Sequence, residues 1–258
     1  DVEDLDITSR QDLEQYFFSF FISWIINCAA YTAVDQAEDE PEKAALINHH
    51  AVKNLGDIAQ KHQCPIIHIS TDYVFDGTNH KPYNEDDPPR PNSIYGKTKR
   101  TGEQALENYD KAFILRTSWL YSSYGNNFVK TMLRLGKERD KLTVIFDQIG
   151  TPTYAGDLAD ACLHIVNESI KDEKAFYPGF YHFSNEGVCS WYDFAIEIMN
   201  QGGLSVYVEP IESKDFPQKA PRPFYSVMNK ARIKSIYHME IPYWKDSLEK
   251  CINELQNE

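Results

Sequence analysis

From Trp24 to Ile145 short apolar runs alternate with long amphipathic stretches, and this alternation constrains the fold more than any other feature of the sequence. WIINCAA (24–30) and PIIHIS (65–70) are apolar without alternation, as strands buried on both faces are. AFILRTS (112–118) and the shorter run 142–145 read as two more strands. Between them lie helix patterns. Pro41 suits a first turn, and Ala45, Leu46, Val52, Leu55, Ile58 and Ala59 recur at helical spacing up to about Lys61. Asn92 or Ser93 can cap a helix to about Glu107, and 126–139 reads as another. Strand–helix–strand repetition predicts an α/β fold, a doubly wound parallel sheet with helices on its faces.

The ends of the chain are less regular. Thr8 or Ser9 can cap a short helix through Tyr16. Beyond Thr153 the pattern predicts a helix at 157–169, a strand at 179–184 and a capping box at Ser190–Asp193 opening a helix to about Met199. A short strand at 206–208, an irregular proline-rich stretch at 217–223 and an amphipathic helix at 242–256 follow. The segment from 172 onward reads as a smaller lobe.

The formal net charge of −13 argues against nucleic acid or an anionic membrane as partner, since both need a basic surface. The most apolar run, Tyr16–Ile26, is too short to span a bilayer. Five cysteines with wide spacings and no C-x-x-C fit free thiols in a reducing cytoplasm. The eight histidines form no H-x-x-x-H, so no metal ligands are assigned.

The chemistry centres on His68–Lys99. A strand ends in Ser70-Thr71-Asp72-Tyr73, a proline-rich acidic loop follows, and a helix then carries Tyr95 and Lys99 one turn apart. Chance alone gives about one Tyr-x-x-x-Lys in such a chain, and a tyrosine ring packed on a lysine stem is the bland reading. The context is more telling. A hydroxyl, a phenol and an ammonium meet at the carboxyl edge of a parallel sheet, where ligands of open α/β sheets bind. There Tyr95 could give a proton to a developing alkoxide, with Thr71 bonding the same oxygen. A nearby ammonium and cofactor charge would favour the phenolate and pull the phenol pKa down.

The words around these residues carry a resemblance. NCAAYTAVD (27–35), STDYVFDG (70–77), YGKTK (95–99), LRTSW (115–119), NNFVKTM (126–132), DQIGTP (147–152) and SWY (190–192) resemble the dTDP-4-dehydrorhamnose reductase family in order and spacing along nearly the whole chain. This family belongs to the extended short-chain dehydrogenases/reductases. The resemblance implies an NAD(P)-binding Rossmann-type domain at 1–171 and a substrate-binding lobe at 172–258. It implies reduction of the 4-keto group of dTDP-4-dehydro-L-rhamnose to dTDP-L-rhamnose, with NADPH or NADH as cofactor. Tyr95 would be the proton donor, Lys99 would hold the nicotinamide ribose, and Thr71 would replace the usual serine. Ala30, Tyr31 and Thr32 would lie along the cofactor, with Asp6 and Ile7 by its adenine. Val34, Asp72, Tyr73 and Trp119 would border the sugar nucleotide, and Arg222 would meet its diphosphate. Mg²⁺ at a subunit interface and a homodimer belong to the same resemblance.

Two departures stand out. The family opens with a strand and a Gly-rich phosphate turn, whereas the first glycine here is Gly56, so the sequence is expected to start after them. Ser19–Trp24 (SFFISW) is apolar where the family has a polar turn. Two other functions fit the same words: a non-catalytic partner resembling the regulatory subunit of methionine adenosyltransferase, and a reductase of another dTDP-4-keto sugar. The intact Thr71, Tyr95 and Lys99 favour an enzyme.

Overall fold

The structure, a computed structural model, describes residues 4–257. Ser9 accepts from Asp12 N and caps helix α1 (Arg10–Ser19). Strand β1 (Ile25–Asn27) leads into the short helix α2 (Val34–Ala37). A long helical rod follows: α3 (Pro41–Ala45), a π turn at Leu46–His50 and α4 (Ala51–Lys61). Then come β2 (Ile66–Thr71), α5 (Ile94–Leu106), β3 (Ala112–Thr117) and α6 (Phe128–Glu138). The rest comprises β4 (Lys141–Ile145), α7 (Ala155–Lys171), β5 (Gly179–His182), α8 (Trp191–Gln201), β6 (Tyr207–Ile211), α9 (Ala231–Tyr237) and α10 (Trp244–Asn257).

The main sheet is parallel in the order β1–β2–β3–β5, with Asn27 beside His68 and Thr71 beside Thr117. β3 is buried along its whole length, which explains its unbroken apolar run. One face packs on α1, α4 and α5 through Leu13, Val52, Leu55, Ile58, Ile66, Leu106 and Ile114. The other packs on α7 and α9 through Ile67, Phe113, Leu115, Leu158, Ile165, Tyr181 and Ile233. A third core joins α6, α8 and α10 to β4 and β6.

Three expectations are corrected. β4 does not extend the main sheet but pairs in parallel with β6. The main sheet instead takes its fourth strand from β5, in the stretch read as the small lobe. The predicted strand 24–30 shrinks to Ile25–Asn27 and is not fully buried, because Ile26 stands 38% exposed at the sheet's edge. The apolar stretch before it is also open to solvent, with Phe18 at 91% and Phe21 at 95% exposure.

Candidate active site

β2 delivers Thr71 to the carboxyl edge of the sheet. The Thr71 hydroxyl donates to Asp72 Oδ1 (3.1 Å) and accepts from Tyr73 N (3.2 Å), which caps the tight turn Asp72–Val74. Ser93 caps α5 by accepting from Gly96 N (3.1 Å), which sets Tyr95 in the first turn, facing Thr71. Gly96 is required there, because a Cβ at this position would lie 2.2 Å from Tyr73 O. The helix therefore sits against the turn, with Tyr95 and Thr71 beside each other on one cavity wall. The Tyr95 ring meets Tyr73 edge-on at 5.3 Å.

Lys99 is 1% exposed, and its Nζ donates to Ile69 O (2.7 Å). Burial lowers its pKa to about 8, with Glu103 and Cys28 opposing the shift. Behind it, His68 is fully buried and bonded through Nδ1 to the Asn27 amide (3.0 Å). Desolvation and Lys99 together hold this imidazole neutral. Burial pushes Tyr95 up to about 12, tempered by the Thr71 hydroxyl and reinforced by Asp72. In the protein alone the phenol pKa is raised, because desolvation outweighs the neighbouring groups and Lys99 gives its hydrogen bond to a backbone carbonyl. A raised pKa keeps the proton on Tyr95 at neutral pH, the form a proton donor needs.

Thr71, Tyr95 and Lys99 open on one cavity of about 390 Å³. Ala30, Thr32, Val34, Asp72, Tyr73 and Trp119 also line it. Trp119 has φ +48°, a left-handed conformation unusual for a bulky side chain. Its indole stacks on Trp191 at 3.7 Å and lies over Gly150, where a Cβ would meet the ring at 2.7 Å.

The family described as the RmlD substrate binding domain matches residues 1–257. A dTDP-4-dehydrorhamnose reductase of Aggregatibacter actinomycetemcomitans is 43% identical over 255 residues, 96% of this chain and 86% of that protein. The chain belongs to the dTDP-4-dehydrorhamnose reductase family. A crystal structure of a dTDP-4-dehydrorhamnose reductase from Clostridium acetobutylicum superposes with a TM-score of 0.93 at 43% identity, covering 99% of this chain and 89% of that one. Another from Bacillus anthracis, in complex with NADP, gives 0.90 at 42% identity, covering 97% and 87%.

Other residues assigned by the family resemblance lie apart from the cavity. Tyr31 does not line it; its backbone is clasped by Asn48 (2.8 and 3.1 Å) and its hydroxyl donates to Glu40 (2.8 Å). Asp6 accepts from Thr8 N (2.8 Å) and Thr8 Oγ1 (2.7 Å), and it borders a separate surface groove. Ile7 packs against the core beneath α1 and α4. Arg222 is paired with Asp35 rather than open to the cavity. Among the described residues no group of three His, Cys, Asp or Glu side chains could hold a metal ion within one chain.

Two contributors escaped the sequence reading. Cys28 lines the cavity beside Lys99. Asn48 is fully buried, clasps Tyr31 and reaches Thr98 Oγ1 (3.2 Å), tying the loop after β1 to α5. The signal was present, since Asn48 interrupts the otherwise apolar stripe of Ala44, Val52 and Leu55.

Proposed function

We propose that this chain reduces the 4-keto group of dTDP-4-dehydro-L-rhamnose with NADPH or NADH, giving dTDP-L-rhamnose. The convergence of Thr71, Tyr95 and Lys99 on one cavity carries this reading. The bound nicotinamide supplies a hydride to the carbonyl carbon. Tyr95 Oη holds the proton that the carbonyl oxygen takes up as it becomes an alcohol. Thr71, by turning its hydroxyl proton from Asp72 Oδ1 to the same oxygen, would steady the charge that develops on it. Lys99, protonated below about pH 8, places positive charge beneath the phenolate left behind. Lys99, Ala30 and Thr32 border the part of the cavity that would take the nicotinamide and its ribose. Asp6, Ile7 and Tyr31 would serve the cofactor farther out.

Val34, Asp72, Tyr73 and Trp119 would border the sugar nucleotide, with Arg222 toward its diphosphate. The 1–171 half would hold the cofactor and the 172–258 lobe the sugar nucleotide. Homologues named dTDP-4-dehydrorhamnose reductase at this identity favour the reductase over the regulatory-subunit reading. Free cysteines fit a cytoplasmic setting. Among the described residues no helix is long and apolar enough to cross a membrane.

Tyr95→Phe tests the assignment. Oxidation of NADPH by the keto sugar should fall by roughly 10²–10⁴-fold, with cofactor affinity retained. Undiminished turnover would remove Tyr95 from the reaction.

A further inference from the structure

A segment of the C-terminal lobe runs beside Asp35, the neighbour of the cavity-lining Val34, and its two ends are fixed in different ways. The inner end is laced by backbone hydrogen bonds: Tyr225 N to Gly77 O (3.2 Å), Ile149 N to Phe224 O (2.7 Å), Ser226 N to Ile149 O (2.8 Å) and Tyr83 N to Val227 O (2.9 Å). Gly77 has φ +77°, and a Cβ there would lie 2.4 Å from Pro223 Cα, so this end is packed without slack. The outer end, 217–223, has no regular structure, and Pro217, Pro221 and Pro223 remove backbone donors from it.

Asp35 gathers this outer end. Its Oδ1 accepts from Lys219 N (3.0 Å), Ala220 N (2.9 Å) and Arg222 Nη1 (2.9 Å), and its Oδ2 accepts from Arg222 Nη2 (2.7 Å). Arg222 Nη1 also donates to Ala220 O (3.2 Å), closing the loop on itself. A second tie joins Lys219 to Asp39 at the surface. The Arg222 pair is bidentate, and Arg222 is only 21% exposed. Arg222 lies near enough for its charge to act on the Tyr73 phenol, and Tyr73 and Val34, the neighbour of Asp35, both line the cavity. One carboxylate therefore connects the turn after β1, the outer loop and the cavity wall. The Arg222 hydrogen bond leads the forces that hold its pKa down at about 2, so the tie persists across the neutral range.

We propose that Asp35 is a positioning residue for the sugar nucleotide: it holds Arg222 and the 217–223 loop behind the Val34 and Tyr73 wall of the cavity, in the arrangement from which the guanidinium meets the diphosphate. The inference rests on the reductase reading above. A proline-rich loop already ordered by Asp35 need not be ordered again on binding, and a guanidinium fixed in place loses less freedom when it meets phosphate. Asp35 makes no hydrogen bond to Thr71, Tyr95 or Lys99, so its effect falls on binding more than on the chemical step.

The test is calorimetric titration with dTDP, beside NADPH titration and turnover with the keto sugar. For Asp35→Asn the dTDP Kd and the KM for the keto sugar should each rise roughly tenfold, while kcat stays within about threefold and the NADPH Kd within about twofold. Asp35→Glu should recover part of the loss. Asp35→Asn/Arg222→Leu should bind dTDP no more weakly than the worse single variant, since both remove one arrangement. A dTDP Kd unchanged in Asp35→Asn overturns the inference. So does tighter binding, which would mean that Asp35 competes with the diphosphate for Arg222. An equal loss of NADPH affinity overturns it too, as a sign of general misfolding. Should Asp35→Asn fail to fold, Arg222→Lys keeps the charge, loses the bidentate pair and should show the same rise; an unchanged Kd there overturns the inference as well. Wild-type protein that binds no dTDP fails the reductase reading itself, and the inference with it.

Discussion

Asp72 is a carboxyl at a cavity wall with 1% exposure, and its surroundings decide its charge. Burial raises its pKa from 3.8 to about 6, against the polar groups of Ser226, Thr71 and Tyr73 around it that pull it down, and its Oδ2 is buried without a hydrogen-bond partner. The folded state therefore holds this proton more tightly than the unfolded chain does. Stability from this group is fully present below pH 3.8 and is lost as the pH rises through about 6. Asp72→Asn, which carries no charge at any pH, should be more stable than wild type above pH 7, by up to about 3 kcal/mol. That advantage should vanish near pH 4. Urea denaturation of both proteins at pH 4, 6 and 8 measures it, and a difference independent of pH would refute the buried-carboxyl account. The identity of Asp72 as a site residue came from the word STDY. Its protonation could not be read there, because desolvation depends on what the rest of the fold stacks over it.

Helix α5 is held against the sheet by a buried ionic cluster. Glu103 is fully buried and accepts from Ser70 Oγ (2.6 Å), Arg116 Nε (2.8 Å), Arg116 Nη2 (2.9 Å) and Arg100 Nη1 (3.0 Å). Arg116, 1% exposed, lies over the Phe180 ring at 4.8 Å and the Phe75 ring at 5.1 Å. This cluster joins α5, β2 and β3 directly beneath the turn of helix that carries Lys99. Glu103→Gln leaves the Arg116 charge buried without its partner and should cost about 3–5 kcal/mol. Replacing both, as Glu103→Gln/Arg116→Met, should recover part of that loss, and a double-mutant cycle by urea unfolding reads the coupling. At this scale much was legible: the caps at Ser9, Ser93 and Ser190, and strands β2 and β3, follow from local pattern. The partner of β4 was not. Lys141–Ile145 reads as a strand like those of the sheet, though it alternates exposed and buried positions, and nothing local says that it pairs with Tyr207–Ile211. Glu103 and Arg116 likewise look like surface charges until the fold brings them together.

The molecule as a whole has distinct cores on either side of the site, and this bears on how a lesion in one spreads to the other. The sheet is sandwiched by two apolar clusters, one with α1, α4 and α5 and one with α7 and α9. The third cluster gathers Val129, Leu142, Phe194, Ile198, Val208, Leu248, Cys251 and Ile252 around the Trp119–Trp191 stack. Between this cluster and the sheet half runs a polar seam: Asp157 on α7 accepts from Asn185 Nδ2 (2.6 Å) and from Ser247 on α10, and Asn185 accepts from Tyr154 N (2.8 Å). Polar seams transmit less packing strain than a shared apolar core, because a few hydrogen bonds can shift without opening a cavity. Leu248 has no exposed surface, so Leu248→Ala should destabilise the C-terminal lobe by about 2–5 kcal/mol. Amide hydrogen exchange should then quicken in α8, α10 and β6, while the amides of β2 and β3 keep their protection. Trp191 and Trp119 lie in the loosened region, so keto-sugar KM should rise before NADPH affinity falls. Equal acceleration of exchange in β3 and α10 would show instead that the two halves unfold as one cooperative unit, with the seam as rigid as either core.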